Sequence, residues 1–271
     1  MNLRPACRAA GIGVVSISEH VGPARAHRAV PTLSARLVVG LGAPLEVDYG
    51  GQTLRTQAVV AGLMRPGLAT PVTTLLPRQP TAYVELSASA LRRLIGMPLS
   101  EVDAGGVIAD AVLPWVRSMC EELVEHPAAR REAVLRIRLL DQLNRAGYDT
   151  TADHALRALD LIRAGGGTAS VDDLADHVHL SARRLREVMR RSLGVTPKFA
   201  SRVARLECAV HRAGTGATSW AQVAAESGYH DQSHLVREFR DLMNTTPTDW
   251  LAEEGRNLQG RQRPAPRPWE T

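Results

Sequence analysis

The chain has 271 residues, 44% of them hydrophobic, a formal net charge of +5 and a sequence pI near 9.6. This length accommodates two domains of ordinary size, and the basic balance weakly favours a polyanionic partner. Three absences set limits: there is no apolar run of about 18 residues, no secretory signal core, and no regular spacing among Cys7, Cys120 and Cys208. We therefore expect a cytoplasmic chain with reduced thiols and no membrane span.

Short β-branched or alternating segments, separated by Gly and Pro, predict strands in the first part of the chain. The predicted strands are Ala35–Leu41, Leu45–Tyr49, Thr56–Met64 and Ala82–Leu86. Their spacing predicts a β-rich N-terminal region.

Three helices are predicted after these strands. Ala88–Ile95 has Ser87 as its N-cap and Gly96 as its stop, and Trp115–Glu125 follows a proline. The third predicted helix is Arg130–Arg145. Its buried stripe is predicted at Val134, Ile137, Leu140 and Asn144.

The last third of the chain contains one folding unit twice, at a spacing of 50 residues. Identical residues recur in five pairs: Ala175/Ala225, Leu185/Leu235, Arg190/Arg240, Thr196/Thr246 and Pro197/Pro247. Apolar character recurs in four more: Val171/Ala221, Leu174/Ala224, Val178/Gly228 and Met189/Phe239. Each copy predicts a short helix, a turn, a second helix and a Thr-Pro start to a third. A tandem helix-turn-helix indicates DNA binding, whereas two hairpins with solvated polar faces are the alternative.

Helix-capping residues stand at the expected places in both copies. Ser170 and Ser219 precede the first helices, and Ser181 and Asp231 precede the second. One face of each second helix is predicted to be apolar, with Leu185, Val188 and Met189 in the first copy and Leu235, Val236 and Phe239 in the second. The opposite faces are polar: Arg183, Arg186, Glu187 and Arg190 in the first, and Gln232, Ser233, His234, Arg237 and Glu238 in the second.

The segment from about Asp153 to Glu254 resembles the DNA-binding domain of AraC/XylS-type bacterial transcription regulators. The more specific part reads WAQVAAESGYHDQSHLVREFRDLMNTTPTDW, with Gly228-Tyr229 and the terminal Thr-Pro in the family's places. It departs from the family at Leu235, usually Phe, and at Asn244, usually Gly. Asn tolerates the left-handed backbone that Gly would adopt, so the second change is mild.

The resemblance implies two helix-turn-helix subdomains joined by one long helix, here about Pro197–Ala213. By position, the residues offered to base edges are Arg183, Arg186, Glu187, Gln232, Ser233, His234 and Arg237. An Arg side chain can donate two hydrogen bonds to guanine, a Gln side chain can pair with adenine, and a Glu side chain can accept a hydrogen bond from cytosine. Basic residues assigned to phosphates are Arg190, Arg191, Lys198, Arg202 and Arg205.

The resemblance also gives the fold class and the division of the chain. We expect an α+β protein with a β-rich, small-barrel-like N-terminal domain and trailing helices, followed by an all-α DNA-binding domain. The expected segments are a flexible N-terminus over 1–12, a sensory or dimerisation domain over 13–127, a helix and linker over 128–149, the DNA-binding domain over 150–255 and a disordered tail over 256–271.

Charge differs sharply between the two copies. From Arg183 to Arg205 there are seven Arg and one Lys against one Glu, whereas from Trp220 to Trp250 two Arg oppose five acidic residues. Because phosphate neutralisation dominates nucleic-acid affinity, we expect the first subdomain to anchor the complex.

Sites of other kinds have weaker support. The pairs His177/His179 and His230/His234 lack a third metal ligand, and His20 and His27 are isolated. We expect no metal, no cofactor and no enzymatic activity. The expected partner is double-stranded DNA, with RNA polymerase, a second copy of the chain and a small-molecule effector as further candidates, in a cytoplasmic, nucleoid-associated setting. An adaptor, or a DNA-repair protein with a reactive Cys, are the alternative functions.

Overall fold

The computed structural model describes residues 3–21, 23–49, 52–67, 72–102, 107–146, 154–214 and 219–258. The strands described are β1 (Ile12–Glu19), β2 (Arg25–Arg28), β3 (Ala35–Gly40), β4 (Leu45–Tyr49), β5 (Gln52–Thr56), β6 (Ala58–Ala61), β7 (Val72–Leu75), β8 (Pro80–Leu86) and β9 (Val107–Ile108). They form two antiparallel sheets, of order β1-β8-β3-β6-β9 and β2-β7-β4-β5. The N-terminal domain is β-rich as predicted, although these strands lie in two sheets rather than one closed barrel.

The single strand predicted over Thr56–Met64 is wrong, because the chain changes sheets at Gln57. Thr56 ends β5 opposite Leu45, whereas Ala58 begins β6 opposite Val39. The Gln57 side chain donates to the Gly40 carbonyl at this bend. Five strands were also not predicted from the sequence, namely β1, β2, β5, β7 and β9. In β1, for example, Ile17 pairs with Ala82 of β8.

The five-stranded sheet is covered on both faces. Leu37 and Val60 point into the main core beneath the helices, while Val59 packs with Leu45 and Val47 of the four-stranded sheet in a smaller cluster. This alternation is the period of two expected for strands buried on both sides.

The helices of the N-terminal domain are α1 (Arg4–Ala9), α2 (Ala88–Ile95), α3 (Ala109–Val112), α4 (Val116–Glu125) and α5 (Ala128–Arg145), with a 3₁₀ turn at Leu99–Glu101. α1 lies in the segment expected to be flexible, and it is held there by Cys7, which is buried. α2 has the predicted bounds: the Ser87 Oγ accepts a hydrogen bond from the Ala90 N–H at 3.0 Å, and Gly96 adopts the left-handed conformation.

The stripe predicted for α5 is wrong. Leu135, Leu139 and Leu143 are fully buried, whereas Ile137 is 51% exposed. The helix is rich in apolar residues around its circumference, so its sequence allows two stripes. Packing on β1 selects one of them, since Arg136 on the buried side donates to the Val15 carbonyl at 3.0 Å.

The C-terminal domain is entirely helical in the described residues. Its helices are α6 (His154–Ala164), α7 (Val171–His177), α8 (Ala182–Leu193), α9 (Pro197–Gly214), α10 (Trp220–Glu226), α11 (Gln232–Met243) and α12 (Pro247–Leu258). α7 and α8 form the first helix-turn-helix, α10 and α11 form the second, and α9 joins them. The tail expected to be disordered lies mostly outside the described residues.

The two domains contact each other through the first subdomain and the joining helix. The Thr32 hydroxyl donates to Glu207 Oε1 on α9 at 2.9 Å in a buried setting. The Ser100 hydroxyl donates to the Arg191 carbonyl near the end of α8 at 2.7 Å. A third contact comes from α6, where Arg163 Nη2 donates to the Ser34 hydroxyl oxygen at 2.7 Å. The N-terminal domain therefore contacts the DNA-binding domain at several separate points.

Candidate nucleic-acid interface

All four predicted N-caps of the helix-turn-helix units are formed. The Ser170 and Ser219 hydroxyls accept from the Asp173 and Gln222 N–H groups. In the second helices, Ser181 accepts from the Arg184 N–H at 3.2 Å, and an Asp231 oxygen accepts from the His234 N–H at 2.7 Å. The hydrogen bond from the His234 N–H is the main reason that the pKa of Asp231 is lowered, followed by the contact with His230.

The spacing of 50 residues holds for the second helices but not for the first. Leu185 and Leu235 are both buried, yet Ala175 is buried and Ala225 is exposed. The buried mate of Ala175 is Ala224, whose carbonyl accepts from Tyr229 as the Ala175 carbonyl accepts from Leu180. The first helices thus repeat at 49 residues, and His230 is the additional residue in the second turn.

Each second helix buries one face and exposes the other. α8 buries Leu185, Met189 and Leu193, and α11 buries Leu235, Phe239 and two neighbours at its end. The Phe239 ring packs against the rings of Trp220 and Trp250, with centroids 5.8 and 6.1 Å away. Gly194 and Asn244 end the two helices in the same left-handed conformation, which accounts for Asn at this position.

On α8, the side chains predicted to reach base edges have different surroundings. Arg183 and Arg186 are exposed. Glu187 is also exposed, but it accepts hydrogen bonds from Arg184 at 2.7 Å and from Arg191 at 3.1 Å. The hydrogen bond and charge of Arg184, aided by the other arginines, lower the pKa of Glu187. Each carboxylate oxygen of Glu187 thus already accepts one hydrogen bond, and only its remaining lone pairs are available to a base.

On α11, the exposed polar residues border a shallow groove. Gln232, Ser233 and Arg237 are exposed, and the His234 side chain is 36% exposed. The groove is lined by His230, Asp231, His234, Arg237, Glu238 and Asp241. Among the described residues, no three His, Cys, Asp or Glu side chains gather as metal ligands would.

Glu238 does not lie on the polar face where the sequence placed it, because its side chain is only 6% exposed. Its Oε1 accepts from Arg202 Nε on α9 at 2.9 Å. The repeat contained a signal for this burial: the residue 50 positions earlier is Val188, which belongs to the apolar face. An acidic residue in an apolar position is the feature that sequence analysis missed.

The five basic residues assigned to phosphates fall into two groups. Arg190, Arg191 and Lys198 are exposed. Of these, Arg191 also donates to Glu187 on its own helix. Arg202 and Arg205 instead contact groups on other helices or loops. Arg202 binds Glu238 and also donates to Asp241 Oδ2 at 3.0 Å. Burial opposes the charged form of Arg202, but these carboxylates outweigh burial and its pKa is raised.

Arg205 lies between the two subdomains. Its Nη1 donates to the Gly167 carbonyl at 3.2 Å, and its Cζ lies 5.8 Å from the centre of the Tyr229 ring. Burial, then the charge of Glu238, raises the pKa of Tyr229 above its usual range. The structure thus gives Arg202 and Arg205 protein partners, whereas the sequence suggested phosphates.

Residues 174–253 match a family model described as a helix-turn-helix domain. The C-terminal region is an AraC-type helix-turn-helix domain. The whole chain combines this helix-turn-helix domain with a β-rich N-terminal domain. A comparison with curated proteins finds no significant match.

Solved structures of ToxT from Vibrio cholerae share the fold of both domains together. One from strain O395 is 14% identical, with a TM-score of 0.51 over 92% of this chain and 98% of ToxT. ToxT from strain SCE256 with bound unsaturated fatty acid is 13% identical, with a TM-score of 0.50 over 89% of this chain and 94% of that one. ToxT bound to (E)-4-(8-methylnaphthalen-1-yl)but-3-enoic acid is 13% identical, with a TM-score of 0.51 over 89% and 98%. At these identities the likeness establishes the fold alone. No helix of the described residues is long and apolar enough to cross a membrane.

Proposed function

We propose that this chain is a sequence-specific transcription regulator that reads duplex DNA with both α8 and α11. The observation that carries the proposal is the pair of capped helices in an AraC-type domain, each with an apolar face in the core and a polar face in solvent. Such a helix fits the major groove with its N-terminal residues against base edges.

The proposed base contacts follow from exposure and hydrogen-bonding capacity. Arg183 and Arg186 offer guanidinium groups for guanine, and Gln232 offers an amide for adenine. Ser233, His234, Arg237 and Glu187 are the remaining candidates for base contacts. Arg190, Arg191 and Lys198 are proposed to contact phosphates, which orient the protein without selecting sequence.

The test begins with selection of binding sites from random duplex DNA by the full chain, followed by gel-shift titration on the selected site. Arg186→Ala should cost about 1–3 kcal/mol on that site and relax discrimination at one base pair. Arg4→Ala, in α1 of the other domain, serves as the matched control and should leave affinity unchanged. If the full chain selects no sequence at low salt, the proposal is wrong.

For the N-terminal domain we propose an effector of the class held in the two ligand-bound ToxT structures, a monocarboxylic acid with an apolar body. In this chain, a shift of the N-terminal domain would reach α9 through Thr32 and Glu207 and α8 through Ser100 and the Arg191 carbonyl. Oleic acid at increasing concentration should change the affinity of the full chain for its selected site. Unchanged affinity at saturation would exclude this class of effector.

The cysteine thiols of this chain argue against a repair enzyme that uses the same DNA-binding module. Cys7 and Cys120 are buried. Burial, followed by the charges of Asp110 and Glu121, raises the pKa of Cys120 to about 11. The thiolate is the reactive form of cysteine, so this thiol is a poor nucleophile at neutral pH. We therefore propose a regulator without catalytic turnover. We further propose that it acts in the cytoplasm, with RNA polymerase and a second copy of the chain as additional partners.

A further inference from the structure

The joining helix is attached to the second recognition helix by three charged residues. Arg202 on α9 donates through Nε to Glu238 Oε1 at 2.9 Å and through Nη2 to Asp241 Oδ2 at 3.0 Å, and both acceptors lie on α11. We call Arg202, Glu238 and Asp241 the inter-helix clamp. A planar guanidinium with two acceptors fixes an angle as well as a distance, because its donors point in set directions.

Packing alone does not explain a carboxylate at Glu238. The Glu238 side chain is 6% exposed, and its second carboxylate oxygen is buried without a hydrogen-bond partner among the described residues. A buried carboxylate is costly to desolvate, and an apolar replacement is often at least as stable. The first copy shows that replacement at Val188, in the same position of its own helix. The clamp therefore supplies directional geometry where a valine would supply only packing.

A second contact lies one turn further along α9. Arg205 bridges the Gly167 carbonyl of the first subdomain and the Tyr229 ring of the second. Gly228 has a φ of +76°, and a Cβ there would lie 3.1 Å from Thr168 Cγ2 in the first subdomain. The second subdomain is thus attached to α9 and packed closely against the first.

We propose that the inter-helix clamp sets the spacing of the DNA site by fixing the angle and separation of the two recognition helices. This proposal rests on the proposed function. One inserted base pair moves the second half of a site by about 3.4 Å and rotates it by about 35° around the duplex. A rigidly held α11 cannot follow both the shift and the rotation. Arg202, Glu238 and Asp241 are therefore positioning residues that select the spacing between the two halves of the DNA site.

The experiment uses the full chain and the duplex it selects from a random library. Footprinting locates the two subsites, and derivatives carry one base pair added or removed between them. The spacing penalty is the affinity for the selected duplex divided by that for a shifted duplex. A single base contact is worth about 5- to 150-fold in affinity, so loss of two such contacts gives the wild-type protein a penalty of about 25-fold or more. Glu238→Gln should reduce it to about 5-fold or less.

Footprints distinguish a positioning role from a purely structural one. Glu238→Gln should protect both subsites on the selected and the shifted duplexes, whereas the wild type should protect only the first subsite on the shifted ones. Asp241→Asn, at a side chain that is 65% exposed, tests the same clamp with little risk to folding and should reduce the penalty at least about threefold. The matched control is Asp141→Asn, which cuts the exposed Asp141–Arg145 pair in α5 and should leave the penalty unchanged.

Two results would overturn the inference while leaving DNA binding intact. One is an unchanged spacing penalty in both clamp variants. The other is loss of the second footprint on the selected duplex by a variant whose circular dichroism matches the wild type. Failure of the wild-type chain to select any duplex would instead refute the proposed function, so the two failures are distinguishable.

Discussion

The salt dependence of DNA affinity should distinguish the arginines that contact phosphates from those that form ion pairs within the protein. Arg190 is exposed on α8, and no ion pair joins it to another residue in the described part of the chain. Arg202 lies on the neighbouring helix with two carboxylates as partners. Replacing each with Gln removes one positive charge from the same basic stretch, Arg183–Arg205, so charge counting alone predicts equal effects.

The structure predicts unequal effects. Each neutralised phosphate contributes about 0.9 to the slope of log affinity against log salt concentration. Between 50 and 200 mM salt, one contact therefore accounts for about a 3.5-fold change in affinity. Arg190→Gln should lower the slope by about 0.9, and Arg202→Gln should leave it unchanged within about 0.3.

The assay is fluorescence anisotropy of a labelled duplex titrated with the full chain at four or more salt concentrations. Circular dichroism first establishes that both variants fold like the wild type. Equal reductions of the slope would mean that Arg202 leaves Glu238 and Asp241 to meet a phosphate on binding. That result would support the phosphate contact that the sequence analysis assigned to Arg202.

Three further outcomes are expected. Residues 150–255 alone should retard duplex DNA in a gel, since both recognition helices and their joining helix lie there; no retardation at low salt would contradict the domain division. Phe239→Ala should lower the free energy of unfolding of the second subdomain by about 3–5 kcal/mol in urea titrations, because a fully buried ring between two tryptophans is lost. The pKa of Asp231 is lowered in the folded state, so its stabilisation is present above its unfolded pKa and disappears as pH falls through the folded pKa. The free energy of unfolding, measured by urea titration, should therefore fall less between pH 6 and about pH 3 in Asp231→Asn than in the wild type. An equal fall in both proteins would show that the cap does not titrate.

Local interactions made much of the C-terminal domain predictable. A cap needs only a side-chain oxygen and an N–H three residues later, so Ser170, Ser181, Ser219 and Asp231 identified the starts of four helices without knowledge of their neighbours. The apolar faces of α8 and α11 followed from helical periodicity for the same reason. Repetition then gave the order of helices, and the resemblance of the motif residues around Gly228-Tyr229 and Thr246-Pro247 to AraC/XylS-type regulators gave the type of domain.

Features that depend on partners distant in sequence were not predictable from local patterns. The change of sheets at Gln57 depends on which strands pair, and the buried stripe of α5 depends on β1, since the helix has apolar residues on more than one face. The extra residue at His230 was hidden because the second helices repeat at 50 residues while the first repeat at 49.

The division of the basic residues was also decided by tertiary structure. Sequence counts Arg190 and Arg202 as equal charges within one basic stretch. Only the packing of α9 against α11 places Glu238 and Asp241 within hydrogen-bonding distance of Arg202 and leaves Arg190 in solvent. The sequence by itself determined that the domain is a tandem helix-turn-helix with a basic stretch in its first copy. Tertiary structure decided which cations remain exposed for DNA, because an ion pair forms only between groups that the fold brings together.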